Sequence, residues 1–139
     1  MVPLYAQEHD YSKYSVLAVD DIPLNLLLVQ KMLSRFNFEL RTAGGGQEAL
    51  DAVAEEKPDL ILLDLMMPGI DGFEVIRRLR EDPTTADIQI VILSALNSNE
   101  DVVKGFNVGA NDFIMKPIIM EKLLSCVVTQ MSIVENKKR

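Results

Sequence analysis

The stretch Asp59-Leu60-Ile61-Leu62-Leu63-Asp64-Leu65-Met66-Met67-Pro68-Gly69-Ile70-Asp71-Gly72 organises the chain. Leu60 to Leu63 form a short apolar run between Pro58 and a Met-Pro-Gly turn, the pattern of a strand buried on both faces of a parallel sheet. Asp64 is then a carboxylate at that strand's carboxyl end, and in open α/β sheets ligands bind in the crevice beyond the carboxyl ends of the strands.

Working outward from this strand, others end the same way. Ser15-Val16-Leu17-Ala18-Val19 is an apolar run that stops at Asp20 and Asp21. Ile88 to Leu93 is a buried strand that ends at Ser94 and Ala95, and Asn111 to Met115 is a short strand stopped by Lys116-Pro117. Phe38 to Thr42 alternates weakly, as an edge or second strand does.

Helical spacing fills the gaps. Pro23 suits a first helical turn, and Leu26, Val29, Leu33 and Phe36 follow at intervals of three and four, with an end near Asn37. Leu50, Val53 and Ala54 mark a second helix, and Phe73, Ile76 and Leu79 a third that Asp71 caps, three residues before Glu74. Val102, Val103 and Phe106 mark a fourth, weakened by Gly105 and ended by Gly109, which is expected to be comparatively mobile. Met120, Leu123, Leu124, Val127 and Met131 mark the fifth. Alternation of five strands with five helices implies one α/β domain, a parallel sheet with helices on both faces. The expected boundaries are a loosely ordered extension over 1–14, the domain over 15–131 and a charged tail over 132–139.

Composition narrows the function. The chain has 139 residues and a net charge of −7, which disfavours direct nucleic-acid binding and favours cations or basic protein surfaces. Cys126 is the single cysteine, so no internal disulfide can form; it falls in an apolar helical pattern and reads as an inert thiol, consistent with a reducing cytoplasm. No apolar run is long enough to span a membrane. Gly44-Gly45-Gly46 is followed by Gln47-Glu48-Ala49 instead of the Gly-Lys-Ser/Thr of a phosphate loop, so a flexible connector is expected there.

Asp20, Asp21 and Asp64, with Ser94 and Lys116, therefore converge on one sheet edge. Clustered carboxylate oxygens suit a hard cation such as Mg²⁺. Beside such a cation a carboxylate can attack phosphorus while Lys116 and Ser94 neutralise the phosphoryl oxygens.

Taken in order, Asp20-Asp21, the Asp59–Gly72 stretch, Ser94-Ala95 and Lys116-Pro117 resemble the response-regulator receiver domain of two-component phosphorelay signalling, over about Ser15 to Gln130. The resemblance implies a flavodoxin-like sheet of order 2-1-3-4-5. It implies that Asp64 accepts a phosphoryl group from a histidine kinase or histidine phosphotransfer protein, and that Asp21, Asp64 and the Met66 carbonyl hold Mg²⁺, with Asp20 assisting through water. Ser94 and Lys116 would bind the phosphoryl group, the Lys116-Pro117 bond would be cis, and Phe113 takes the position of the switch aromatic. Ser94 stands where threonine is commoner, and Phe113 lacks a tyrosine hydroxyl. The surface of the fourth helix, fifth strand and fifth helix would carry the output to a downstream protein or effector domain.

A haloacid-dehalogenase-type phosphohydrolase also uses a strand-end aspartate and Mg²⁺, but needs a second acid where Met66 stands. A scaffold without phosphorylation would not need all five groups. The chain is expected to be a stand-alone regulator or a receiver cut from a longer protein, its start at Met1 favouring the first.

Overall fold

The computed structural model describes residues 2–3 and 7–138. Five parallel strands, β1 (Ser15–Val19), β2 (Glu39–Ala43), β3 (Leu60–Leu63), β4 (Gln89–Ser94) and β5 (Asp112–Met115), lie in the order β2-β1-β3-β4-β5. The helices between them are α1 (Pro23–Leu33), α2 (Gly46–Glu55), α3 (Gly72–Glu81), α4 (Asn99–Val108) and α5 (Met120–Lys137). This is the parallel sheet expected from the strand and helix pattern, in the flavodoxin-like order that the resemblance implies. Burial agrees with this order: β1, β3 and β4 are buried at every position and occupy the centre, while β2 and β5 have exposed positions and form the edges.

Alternate strand residues feed two cores. Val16, Ala18, Leu60, Leu62, Val91, Leu93 and Ile114 pack with α1 and α5 on one face. Leu17, Val19, Ile61, Leu63, Ile90 and Ile92 pack with α2 and α3 on the other. Pro23 sits in the first turn of α1, and a short 3-10 turn, Ser34–Phe36, ends at Asn37 with φ 61°.

Several local expectations are corrected. Gly46 is not part of a flexible connector: it opens α2, and a Cβ there would stand 2.3 Å from the Ile70 carbonyl oxygen, so the glycine permits a close backbone approach to the loop after β3. In α2, Ala49 and Val53 are buried and Leu50 packs against the core as expected, but Ala54 is exposed. In α4, Val103 and Phe106 face solvent and Gly105 is the buried residue, lying against Ile92 and Phe113; the apolar spacing there marks an outer face. Met120, in the first turn of α5, is exposed.

Among the described residues, segments near both ends are tied down further than hydropathy suggests. Helix α5 continues to Lys137, with Val134 buried, through residues expected to be tail. Lys137 Nζ donates to Gln89 Oε1 at 2.7 Å, and Lys138 pairs with Asp59 at 2.8 Å. Of the expected loose extension, residues 1 and 4–6, Tyr5 among them, lie outside the described residues, as does Arg139 at the other end. Tyr11, however, is buried between Phe36 and Phe38, and its N–H donates to the Phe36 carbonyl at 2.8 Å.

Candidate functional site

Strand register brings the predicted groups together. Val19 is level with Leu63, so Asp20 and Asp64 leave adjacent strands side by side. Ser94 is level with Met115, so Lys116 emerges next to it. Backbone bonds extend the ladder past the strand ends: Asp20 N–H donates to Ala43, Asp64 N–H to Val19 and Lys116 N–H to Ser94. The predicted side chains thus sit on the hydrogen-bonded rim of the sheet.

Asp20 is buried and its carboxylate accepts from three donors. Oδ1 accepts from Ile22 N–H at 2.9 Å, and Oδ2 accepts from Asn25 Nδ2 at 3.1 Å and from Lys116 Nζ at 2.9 Å. Lys116 also lies 3.5 Å from Asp64 Oδ2, so one ammonium bridges two carboxylates. The Lys116-Pro117 bond is cis.

Asp64 is buried, and its Oδ1 accepts from Met66 N–H at 3.3 Å. Burial lifts its carboxyl above the ordinary carboxylate range; the Lys116 charge and the Met66 N–H oppose that shift, and the Asp20 charge adds to it. Asp21 is exposed, and oxygens of Asp20, Asp21 and Asp64 lie within 4.8 Å of one another. Three hard oxygen donors, two of them buried, form a donor set that fits a divalent cation, which would cancel their mutual repulsion.

The remaining predicted residues take supporting places. Ser94 is fully buried, and its Oγ accepts from Leu96 N–H at 3.1 Å. Phe113 is half-buried, its ring against the α4 backbone at Gly105. The Met66 side chain is exposed beside the acids. Asp71 is a helix cap, as expected: its Oδ1 accepts from Glu74 N–H at 2.9 Å.

Two contributors were not foreseen. Asn25 reads as an ordinary polar position of α1; only its place five residues after Asp20, in the first turn of the following helix, hints that it reaches back. Gly72 opens α3 directly against the backbone of Asp64 and Leu65, and its place in the quoted stretch was the only signal.

The family model of the response regulator receiver domain matches residues 16–128. The chain is 47% identical over 103 residues to response regulator PleD of Caulobacter vibrioides, an alignment covering 74% of this chain and 23% of that protein. It spans between 23% and 50% of the length of the first curated relatives it matches. Among solved structures it is similar to a response regulator described as putative from Chloroflexus aurantiacus, with TM-score 0.81, 31% identity and coverage of 86% of this chain and 98% of that one. It is also similar to the Mn²⁺-bound form of response regulator Rcp1, with TM-score 0.74, 26% identity and coverage of 86% and 92%.

Proposed function

This chain belongs to the response regulator receiver domain family, phosphoacceptors of two-component signalling rather than turnover enzymes, and from that premise we propose that Asp64 is the phosphoacceptor. The observation that carries this reading is the placement of Asp64 at the carboxyl end of β3, buried, with Asp20 and Asp21 alongside and the Lys116 ammonium 3.5 Å away.

In this reading an Asp64 carboxylate oxygen attacks phosphorus and forms the P–O bond of an acyl phosphate. The P–N bond of a phosphohistidine donor breaks, and the imidazole leaves with the electron pair. A receiver domain implies a histidine kinase as partner; a histidine phosphotransfer protein would serve the same chemistry, and both place the domain in the cytoplasm. Asp20, Asp21, Asp64 and the Met66 carbonyl would hold Mg²⁺, which supplies charge neutralisation at the phosphoryl oxygens. Lys116 pairs with the new phosphoryl group and Ser94 turns its hydroxyl from Leu96 N–H toward it, while Phe113 follows Ser94. These shifts favour one arrangement of α4, β5 and α5, and that surface carries the output to a downstream protein or effector domain.

The test is direct. Given Mg²⁺ and a small acyl phosphate or phosphoramidate, the protein should gain one hydroxylamine-labile phosphoryl group by intact-mass spectrometry, and Asp64→Asn should gain none. No gain in the wild type, or a gain that survives Asp64→Asn, overturns the assignment. Sustained release of phosphate from many phosphate esters would support a hydrolase instead.

A further inference from the structure

Asp20 Oδ2 is shared by two donors from different elements, the Lys116 ammonium after β5 at 2.9 Å and the Asn25 amide of α1 at 3.1 Å. We infer that Asn25 is a positioning residue: it keeps the buried Asp20 carboxylate hydrogen-bonded when Lys116 turns from Asp20 to a phosphoryl group on Asp64. This rests on the phosphoacceptor reading and extends it to a residue outside the acid, serine and lysine set.

Lys116 is the only cation bonded to either buried carboxylate among the described residues, and it lies nearer Asp20 than Asp64. Phosphorylation moves negative charge outward from the Asp64 carboxylate onto phosphoryl oxygens, and the ammonium follows it. Asp20 Oδ2 then loses the ammonium while still buried; Mg²⁺ beside the three acids would act on Asp20 both before and after that turn and so does not replace the lost bond, and a buried carboxylate oxygen short of donors is costly. Ile22 N–H holds Oδ1 and cannot also serve Oδ2. Asn25 alone remains on Oδ2. Its amide is neutral, so it supports Asp20 without competing with Lys116 for the phosphoryl group.

Asn25 therefore matters more after Lys116 has turned than before, and its removal penalises the phosphoryl-bound state selectively. Asn25→Leu keeps the branched shape at Cγ and removes the donor. In the presence of Mg²⁺, its affinity for beryllofluoride, a phosphoryl mimic, should fall by roughly tenfold, the weight of one hydrogen bond to a charged group. The titration is read from the amide NMR shifts of Ser94 and Phe113. In a Lys116→Met background Asp20 lacks the ammonium in both states, so Asn25→Leu should leave beryllofluoride affinity unchanged there.

Equal loss in both backgrounds overturns the inference, because it marks a merely structural role. Wild-type affinity in Asn25→Leu also overturns it. Asn25→Ser, smaller and still polar, should lose less than Asn25→Leu. Failure of both variants to unfold cooperatively in urea would make Asn25 a folding residue and sink the proposal. If the wild-type protein binds no beryllofluoride, the phosphoacceptor reading falls first and this inference falls with it.

Discussion

Gly72 lies so close to Asp64 that a Cβ on it would stand 2.5 Å from the Asp64 carbonyl oxygen, and 2.8 Å from Leu65 Cα. The first residue of α3 therefore determines where the β3 end can sit. Since both obstacles are backbone atoms, neither can rotate away. Gly72→Ala should destabilise the protein by about 1–3 kcal/mol through forced backbone displacement and should weaken divalent-cation binding by moving Asp64. Gly45→Ala is the control, because nothing lies within 4 Å of a Cβ there and its φ of −175° is ordinary extended backbone. Urea unfolding and calorimetric Mg²⁺ titration of the two variants check this; equal behaviour would refute the close-approach argument.

Asp64 supplies a prediction about pH. Its carboxyl lies above the ordinary value of 3.8 in the folded protein, chiefly through burial. For a raised carboxyl the stabilising contribution is complete below the unfolded value and is lost as pH rises through the folded one. At neutral pH the ionised acid is therefore a net cost to folding. Asp64→Asn should raise the melting temperature by a few degrees at neutral pH, and that advantage should shrink toward nothing below the ordinary carboxylate value. A divalent cation held by the three acids would bind only the folded arrangement, so Mg²⁺ should raise the wild-type melting temperature more than that of the variant. Calorimetric scans across the acid range, with and without Mg²⁺, decide both points.

Cys126 should be chemically quiet. It is buried in α5, its Sγ donates to Asp112 Oδ2 at 3.3 Å, and burial with the Asp112 charge pushes its thiol up to about 12. Thiolate is the reactive form, so at mildly alkaline pH almost none is present. Iodoacetamide should label the native protein far more slowly than the urea-unfolded chain, with a mass increase as the readout.

What could be read from sequence follows a physical division. Strands buried on both faces carry a continuous apolar run, and a polar residue at the end of such a run is conspicuous; Asp20, Asp64, Ser94 and Lys116 could all be placed on one rim for that reason. Helix faces were harder. In α4 a glycine is the buried residue while Val103 and Phe106 face solvent, so apolar spacing marked an outer face as if it were a core face. Gly46 and Gly72 were opaque because a close backbone approach depends on what lies across the gap. Asn25 was opaque because its partner belongs to another element. The segment before Ser15 looked loose because, among its described residues, the contribution to the core comes from two isolated aromatics, the buried Tyr11 and the partly buried Tyr14.

The first of these, Tyr11, supports the last prediction. Its ring is stacked on Phe38 at 5.1 Å and edge-on to Phe36 at 5.4 Å, its backbone N–H is bonded to Phe36, and its hydroxyl lies 3.2 Å from His9 Nδ1. Tyr11→Ala should therefore cost about 3 kcal/mol, the scale of deleting a buried aromatic, where a residue of a free extension would cost nothing. Tyr11→Phe keeps the ring and should lose much less. The phenol adds a second signature: burial and the Glu135 charge raise it from 10.0 to about 12. Between those values the unfolded chain gives up the proton while the folded one keeps it, so native stability falls across that window. Tyr11→Phe should remove this alkaline loss while leaving the neutral-pH unfolding midpoint close to that of the wild type. Urea melts at neutral and alkaline pH measure both effects, and an alkaline loss that persists in Tyr11→Phe would show that another group carries it.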